Sequence, residues 1–150
     1  MKKKFDLSHE QTKLKSRGRI LREILLKEPV ELKLPAEQNM MLVMRLTTAG
    51  VVARAGLTVD RMDDVKMAVE EACNCLIGGE SAPKRLCLRF AAEDGFLKIR
   101  VCGDGACTGA ANADELGVAR CILESLVDGV EMCMHGDVIG AVELRISLGQ

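Results

Sequence analysis

Apolar and polar positions alternate along this chain in two distinct rhythms. From Val30 to Leu34 every second residue is apolar, the signature of a half-buried strand, and Pro35 ends it. A helix of about residues 37–55 follows, with Met40, Met41, Met44, Leu46 and Val51 on its inner side and Gly56 as its stop. Thr58 or Asp60 then caps a central helix running to Ile77, closed by Gly78-Gly79. Its apolar residues Val65, Ala68, Val69, Ala72, Cys73 and Leu76 recur at the three-and-four spacing of one helix face. Leu86, Leu88 and Phe90 alternate as a strand, Glu93-Asp94-Gly95 is a turn, and Leu97, Ile99 and Val101 form the return strand. Asp114 opens another helix through Leu116, Cys121, Ile122 and Leu126 to Asp128. Strands at 130–134 and 138–148 close the chain around His135-Gly136-Asp137.

The resulting order, β-α-α-β-β-α-β-β, pairs strands in hairpins and does not alternate them regularly with helices. It predicts an α+β two-layer sandwich, with a mixed, mostly antiparallel sheet and the helices on one face. The length of 150 residues suits one domain with a real core. Charge divides the chain in two. Residues 1–29 hold nine basic and four acidic side chains, so the rest carries a net charge near -6 against a total of -1. The first 29 residues are expected to be a basic helical extension, with a modest apolar stripe (Leu14, Ile20, Leu21, Ile24, Leu25) broken by Gly18. The domain proper is expected at 30–150.

Composition excludes several functions. Three Phe with no Trp or Tyr cannot build the aromatic platforms on which nucleic-acid bases stack, so direct nucleic-acid binding is not expected. No apolar run approaches ~20 residues, and the lysine-rich start lacks the apolar centre of a signal peptide. A cytoplasmic protein, without a membrane role, is expected. Seven cysteines include no Cys-x-x-Cys pair, and with only His9 and His135 they assemble no zinc pattern. They are expected to be reduced core thiols.

Candidate chemistry concentrates on the central helix. Glu70, Glu71 and Asn74 sit beside its buried stripe, and either glutamate lies within one turn of the amide. A solvated helix edge accounts for the same residues. A second candidate is the glycine-rich stretch from Gly103 to Gly109 directly after a strand, where small residues let backbone amides approach an anion.

Taken with the element order, three stretches carry a resemblance: Lys66-Met-Ala-Val-Glu-Glu-Ala-Cys-Asn-Cys-Leu76, Ile99-Arg-Val-Cys-Gly-Asp-Gly105, and Glu115-Leu-Gly-Val-Ala-Arg-Cys-Ile-Leu-Glu-Ser-Leu-Val-Asp128. The opening Leu34-Pro-Ala-Glu-Gln38, followed by a helix with Arg45, agrees with them. Over about residues 30–148 the chain resembles the bacterial anti-sigma factors of the serine-protein kinase type, in the GHKL ATPase superfamily. The resemblance implies the histidine-kinase-like ATPase fold, ATP and magnesium as cofactors, a sigma factor or anti-sigma antagonist as partner, and a homodimer. It also implies roles. Glu70 or Glu71 is the base, Asn74 the magnesium ligand, and Asp104 the reader of adenine, while Gly105 and Gly117 line the phosphates.

The motifs depart from the family pattern in places. Matching Glu71 to the family base places Cys75 where the asparagine belongs, whereas matching Asn74 makes Glu70 the base with the apolar frame shifted by one. One residue is roughly 100° of helix rotation, so the two frames are alternatives. Gly103 occupies the family aspartate position with Asp104 one residue later, and Ala119 replaces the second glycine of the phosphate motif. An interaction module on the same fold, without ATP binding, is the alternative reading. A structural subunit that dimerises through its sheet is a third.

Overall fold

The computed structural model describes residues 8–14, 17, 27–77, 82–104 and 113–149. Residues 8–14 are helical and exposed, while most of the basic extension, the Gly78-Gly79 stop, Gly105 and Cys107 lie outside the described residues. From residue 30 the elements run β1 (Val30–Pro35), α1 (Met41–Arg54), α2 (Val59–Ile77), β2 (Arg85–Glu93), β3 (Phe96–Gly103), α3 (Ala113–Leu126), β4 (Gly129–His135) and β5 (Val138–Ser147). A single 3-10 turn, Gln38–Met40, leads into α1, so the first predicted helix is divided at its start. The α+β layering, one sheet with the helices packed on one face, is as the sequence predicts.

The five strands form one sheet in the order β1-β2-β3-β5-β4. Every neighbouring pair is antiparallel, so the expected mixed pairing is replaced by a uniform one. The cause is connectivity. Two helices separate β1 from β2, and the chain reverses at each connection, so β2 returns antiparallel to β1. One helix separates β3 from β4, which would make them parallel neighbours, but β5 inserts between them.

Alternation along each strand sends one set of residues to the helices. Phe90, Ile99 and Leu144 stand opposite one another in successive strands, with no solvent exposure, as do Leu88, Val101 and Val142 with almost none. Helix α2 lies across this face and packs on α1, α3, β3 and β5. Its stripe Val65, Ala68, Val69, Ala72, Cys73 and Leu76 is buried, as its spacing predicts, and Cys75 joins it. Alanine and cysteine at these contacts allow close approach of helix and sheet. Thr58 resolves the choice of cap: its Oγ1 accepts from the Arg61 amide at 3.3 Å.

Local chemistry sets the boundaries. Asp94 (φ 53°) and Gly95 (φ 80°) form the two-residue loop of the β2–β3 hairpin, an Asp-Gly pair suited to left-handed backbone. Gly56 takes φ 75° just past α1. Two helix assignments of the sequence differ. Leu46 is 65% exposed, because the buried stripe of α1 follows Met41, Met44, Thr48 and Val51 and leaves Leu46 off that face. In α3 the buried set is Leu116, Ala119 and Leu123, so Cys121 and Ile122 face outward.

The cysteines also divide. Cys73 and Cys75 are core thiols, whereas Cys87, Cys102 and Cys133 alternate with core residues of their strands and sit half-buried on the outer sheet face. No helix among the described residues is long and apolar enough to cross a membrane.

One polar junction ties three elements together. Arg61 of α2 donates to Asp128 Oδ2 at 2.6 Å and to the Leu126 carbonyl at 3.0 Å, while the Ser147 amide donates to the same Asp128 oxygen at 2.7 Å. Asp128→Ala would strand both donors. It is expected to lower stability by about 1–2 kcal/mol, seen as a lower urea midpoint at unchanged slope. Asp128→Asn, which keeps the acceptor, should cost less.

Candidate functional site

The polar edge of α2 is built by its periodicity. Glu70 and Asn74, one turn apart, project toward the start of α1, while Glu71 and Cys75 lie one residue further round the helix. Arg45 of α1 grips Glu70 through two guanidinium nitrogens, Nε to Oε2 at 2.7 Å and Nη2 to Oε1 at 2.6 Å. Gln38, in the turn before α1, donates from Nε2 to Asn74 Oδ1 at 3.1 Å. The Leu34-Pro-Ala-Glu-Gln38 segment and Arg45 therefore meet the glutamate–asparagine edge in space. With side chains 49% and 27% exposed, the Arg45–Glu70 pair is worth about 1 kcal/mol at most. Its main effect is to orient the carboxylate.

The neighbouring face has different chemistry. Burial pushes the Cys73 thiol up to about 12, with the Cys75 thiol and the Glu70 carboxylate adding to the effect. Burial likewise raises Cys75 to about 11, and the Glu71 charge one turn away adds to it. Both remain protonated thiols at neutral pH. A neutral sulfur is a poor partner for magnesium, which takes oxygen ligands. Of the two helix frames, the one pairing Glu70 with Asn74 thus offers an oxygen donor at the ligand position, and the one pairing Glu71 with Cys75 does not.

Asp104 lies past the end of β3 and is exposed. It is engaged locally: its Oδ1 accepts from the Arg85 amide at 2.9 Å, and its own amide donates to the Arg85 carbonyl at 3.1 Å. The preceding Gly103 sits against Pro83, and a Cβ there would lie 2.6 Å from Pro83 Cβ. A side chain at the family aspartate position is therefore excluded by contact with a buried proline ring, and the carboxylate appears one residue later in a different bonding role. Gly105 lies outside the described residues. Gly117 falls in the second turn of α3 rather than at its start, exposed, and a methyl group placed on it would meet nothing within 4 Å. Ala119 is buried against the core, so its methyl group serves packing. The sequence signal that did not single out Gln38 and Arg45 as partners was distance in the chain: they reach α2 only through the fold.

No family model matches the chain. Individual proteins do. The serine-protein kinase RsbW of Bacillus subtilis is 28% identical over 132 residues, spanning 75% of this chain and 82% of that protein. RsbW of Bacillus thuringiensis is 40% identical over 82 residues, about half of each chain. This chain is similar to these RsbW serine-protein kinases. A crystal structure of the RsbU and RsbW domains of a Mycobacterium tuberculosis protein superposes with a TM-score of 0.61 at 20% identity, covering 80% of this chain and 32% of that longer one. The fold is thus shared with part of that protein. The glutamate–asparagine edge of α2 falls within the RsbW-like part of the chain.

Two glycine substitutions separate structural from functional roles. Gly103→Ala drives a methyl group into Pro83 and is expected to lower the melting temperature, by the equivalent of about 1–3 kcal/mol. Gly117→Ala meets nothing and removes backbone freedom from a helix interior, so it should raise stability by about 0.5–1 kcal/mol. Thermal denaturation of both variants measures the contrast.

Proposed function

We propose that this chain is an anti-sigma regulatory protein of the serine-protein kinase type, which binds ATP with magnesium along the polar edge of α2. The observation that carries this reading is the alignment of Glu70 and Asn74 on one surface, oriented by Arg45 and Gln38, in a chain related to RsbW kinases. The reading extends to a cytoplasmic homodimer whose partners are a sigma factor and its antagonist, with the basic residues 1–29 as an accessory binding element.

The donors fit the cofactors chemically. Asn74 Oδ1, which accepts from Gln38, is the hard oxygen that would hold a magnesium ion. Bound ATP with magnesium would supply a transferable phosphoryl group and a cation to offset its charge. Glu70, once released from Arg45, or Glu71 accepts the proton of a partner's serine hydroxyl. Arg45, so released, would be a cation available to pair with phosphate oxygens. By the resemblance, Asp104 would read the adenine amino group, and Gly105 and Gly117 would line the phosphates.

Thermal shift with ATP tests this first. Ligand at ~100 times its dissociation constant contributes ~2.7 kcal/mol, a rise of a few degrees for a domain of this size. The rise is expected to require magnesium and to vanish in Asn74→Ala. Glu70→Gln and Glu71→Gln should keep the shift, and whichever carries the base should slow phosphorylation of an antagonist protein by about 10²–10⁴-fold. No shift at millimolar ATP would sink the nucleotide reading and leave a protein-binding module on the same fold.

A further inference from the structure

The outer face of the sheet carries a feature that the α2 site does not use. Register places Lys33, Cys87, Cys102, Ala141 and Cys133 in one row across the five strands, each opposite the next. The adjoining row is Glu31, Arg89, Arg100, Glu143 and Glu131. Cys87 and Cys102 are thus directly opposed cross-strand thiols, and the Cys102 Sγ lies 3.7 Å from the Cys87 carbonyl oxygen. Directly opposed residues of an antiparallel ladder have Cα atoms about 4.5–5.5 Å apart, inside the roughly 4.4–6.8 Å window of a disulfide. Both thiols open onto a shallow cavity of about 290 Å³, whose charged lining is Lys33, Arg89 and Arg100 against Glu31 alone.

Three cations around a dithiol give the cavity a preference. Arg89 shares Glu31 and Glu93, each at 3.9 Å, and Arg100 reaches the half-buried Glu143 at 3.6 Å, all long pairs. These loose pairs leave guanidinium donors able to take up an incoming carboxylate. Arg100 also places Nη1 3.8 Å from Cys133 Sγ, so its charge sits among the thiols. The Cys102 thiol is held above the usual range by its burial and by Cys87, with Arg100 working the other way. Attack by a thiol in this row is faster where a cation stabilises the thiolate.

We infer that Cys87 and Cys102 form a thiol–disulfide exchange site for an anionic low-molecular-weight disulfide, seated by Lys33, Arg89 and Arg100. One thiol, as its thiolate, attacks a sulfur of the small disulfide. The S–S bond breaks, a mixed disulfide with the protein forms, and one small thiolate leaves. The second cysteine, losing its proton to solvent, attacks the protein-bound sulfur and expels the other small thiolate. The protein dithiol is oxidised by two electrons to a β2–β3 bridge, and the small disulfide is reduced to two thiols. A bridge between directly opposed strands staples the centre of the outer face and discharges the cavity of its nucleophiles. This inference is independent of nucleotide binding at α2.

The test uses the reduced full chain with oxidised glutathione as the anionic probe, followed by intact mass and non-reducing peptide mapping. A Cys87–Cys102 linkage is expected, with fragment-ion sequencing separating Cys102 from Cys107, which shares its tryptic peptide. Cys102→Ser should trap a glutathionyl adduct on Cys87, and Cys87→Ser one on Cys102. Neutral hydroxyethyl disulfide and cationic cystamine should react at least fivefold more slowly than oxidised glutathione. Arg89→Ala/Arg100→Ala should erase that preference while the circular dichroism spectrum stays native. Failure to form the linkage at millimolar oxidised glutathione would overturn the inference, as would equal rates with all three disulfides.

Discussion

Burial of α2 between α1 and the sheet is the constraint on which the structure depends. Seven residues of that helix, from Val65 to Leu76, are buried, and four of them are alanine or cysteine. Small side chains bring the helix axis close to the strands and let β3, β5, α1 and α3 all share its surface. The hydrophobic contribution of such a stripe is large in aggregate, because each buried aliphatic side chain is worth about 1.5–3 kcal/mol. A helix fixed this firmly has no rotational freedom. The polar residues on its edges are therefore set at defined angles by packing that has nothing to do with their chemistry.

That rigidity explains how the candidate site is arranged. Glu70 and Asn74 lie on the α1 side of the buried stripe and meet Arg45 and Gln38 there, while Glu71 lies one turn from the buried Cys75. Packing thus assigns different environments to two adjacent glutamates. One is held by a guanidinium in a half-exposed groove, and the other faces a protonated thiol. A kinase-type role asks Glu70 to exchange its arginine for a substrate hydroxyl, a trade an exposed pair permits at small cost. The same packing logic acts at Gly103, where a buried proline ring excludes any side chain and moves the carboxylate to Asp104.

The two sheet faces divide the labour of the molecule. The inner face is wholly aliphatic and aromatic and receives the helices. The outer face alternates charged rows with thiols, and its like-charged neighbours Arg89 and Arg100 are tolerated because Glu31 and Glu143 flank them. Cysteine in such a row is an ambiguous residue. It packs as a small hydrophobe when buried, as Cys73 does, and acts as a nucleophile when a cation and solvent are at hand.

Much of this was legible in the chain. Period-two alternation located the first three strands, His135-Gly136-Asp137 marked the closing hairpin, apolar spacing and caps located the three main helices, and Asp94-Gly95 marked the β2–β3 loop, because these signals are local and set by backbone geometry. The glutamate–asparagine cluster stood out for the same reason. What the sequence left open needed contacts between residues far apart. Whether Glu70 or Glu71 shares a surface with Arg45 turns on a single residue of helical rotation, which only the docking of α2 decides. The uniform antiparallel pairing came from the insertion of β5 between β3 and β4, and the dithiol row came from the register in which the strands pair. Apolar spacing suggested core positions for most of the cysteines; the pleat of the sheet, sending alternate residues to opposite faces, placed three of them outside.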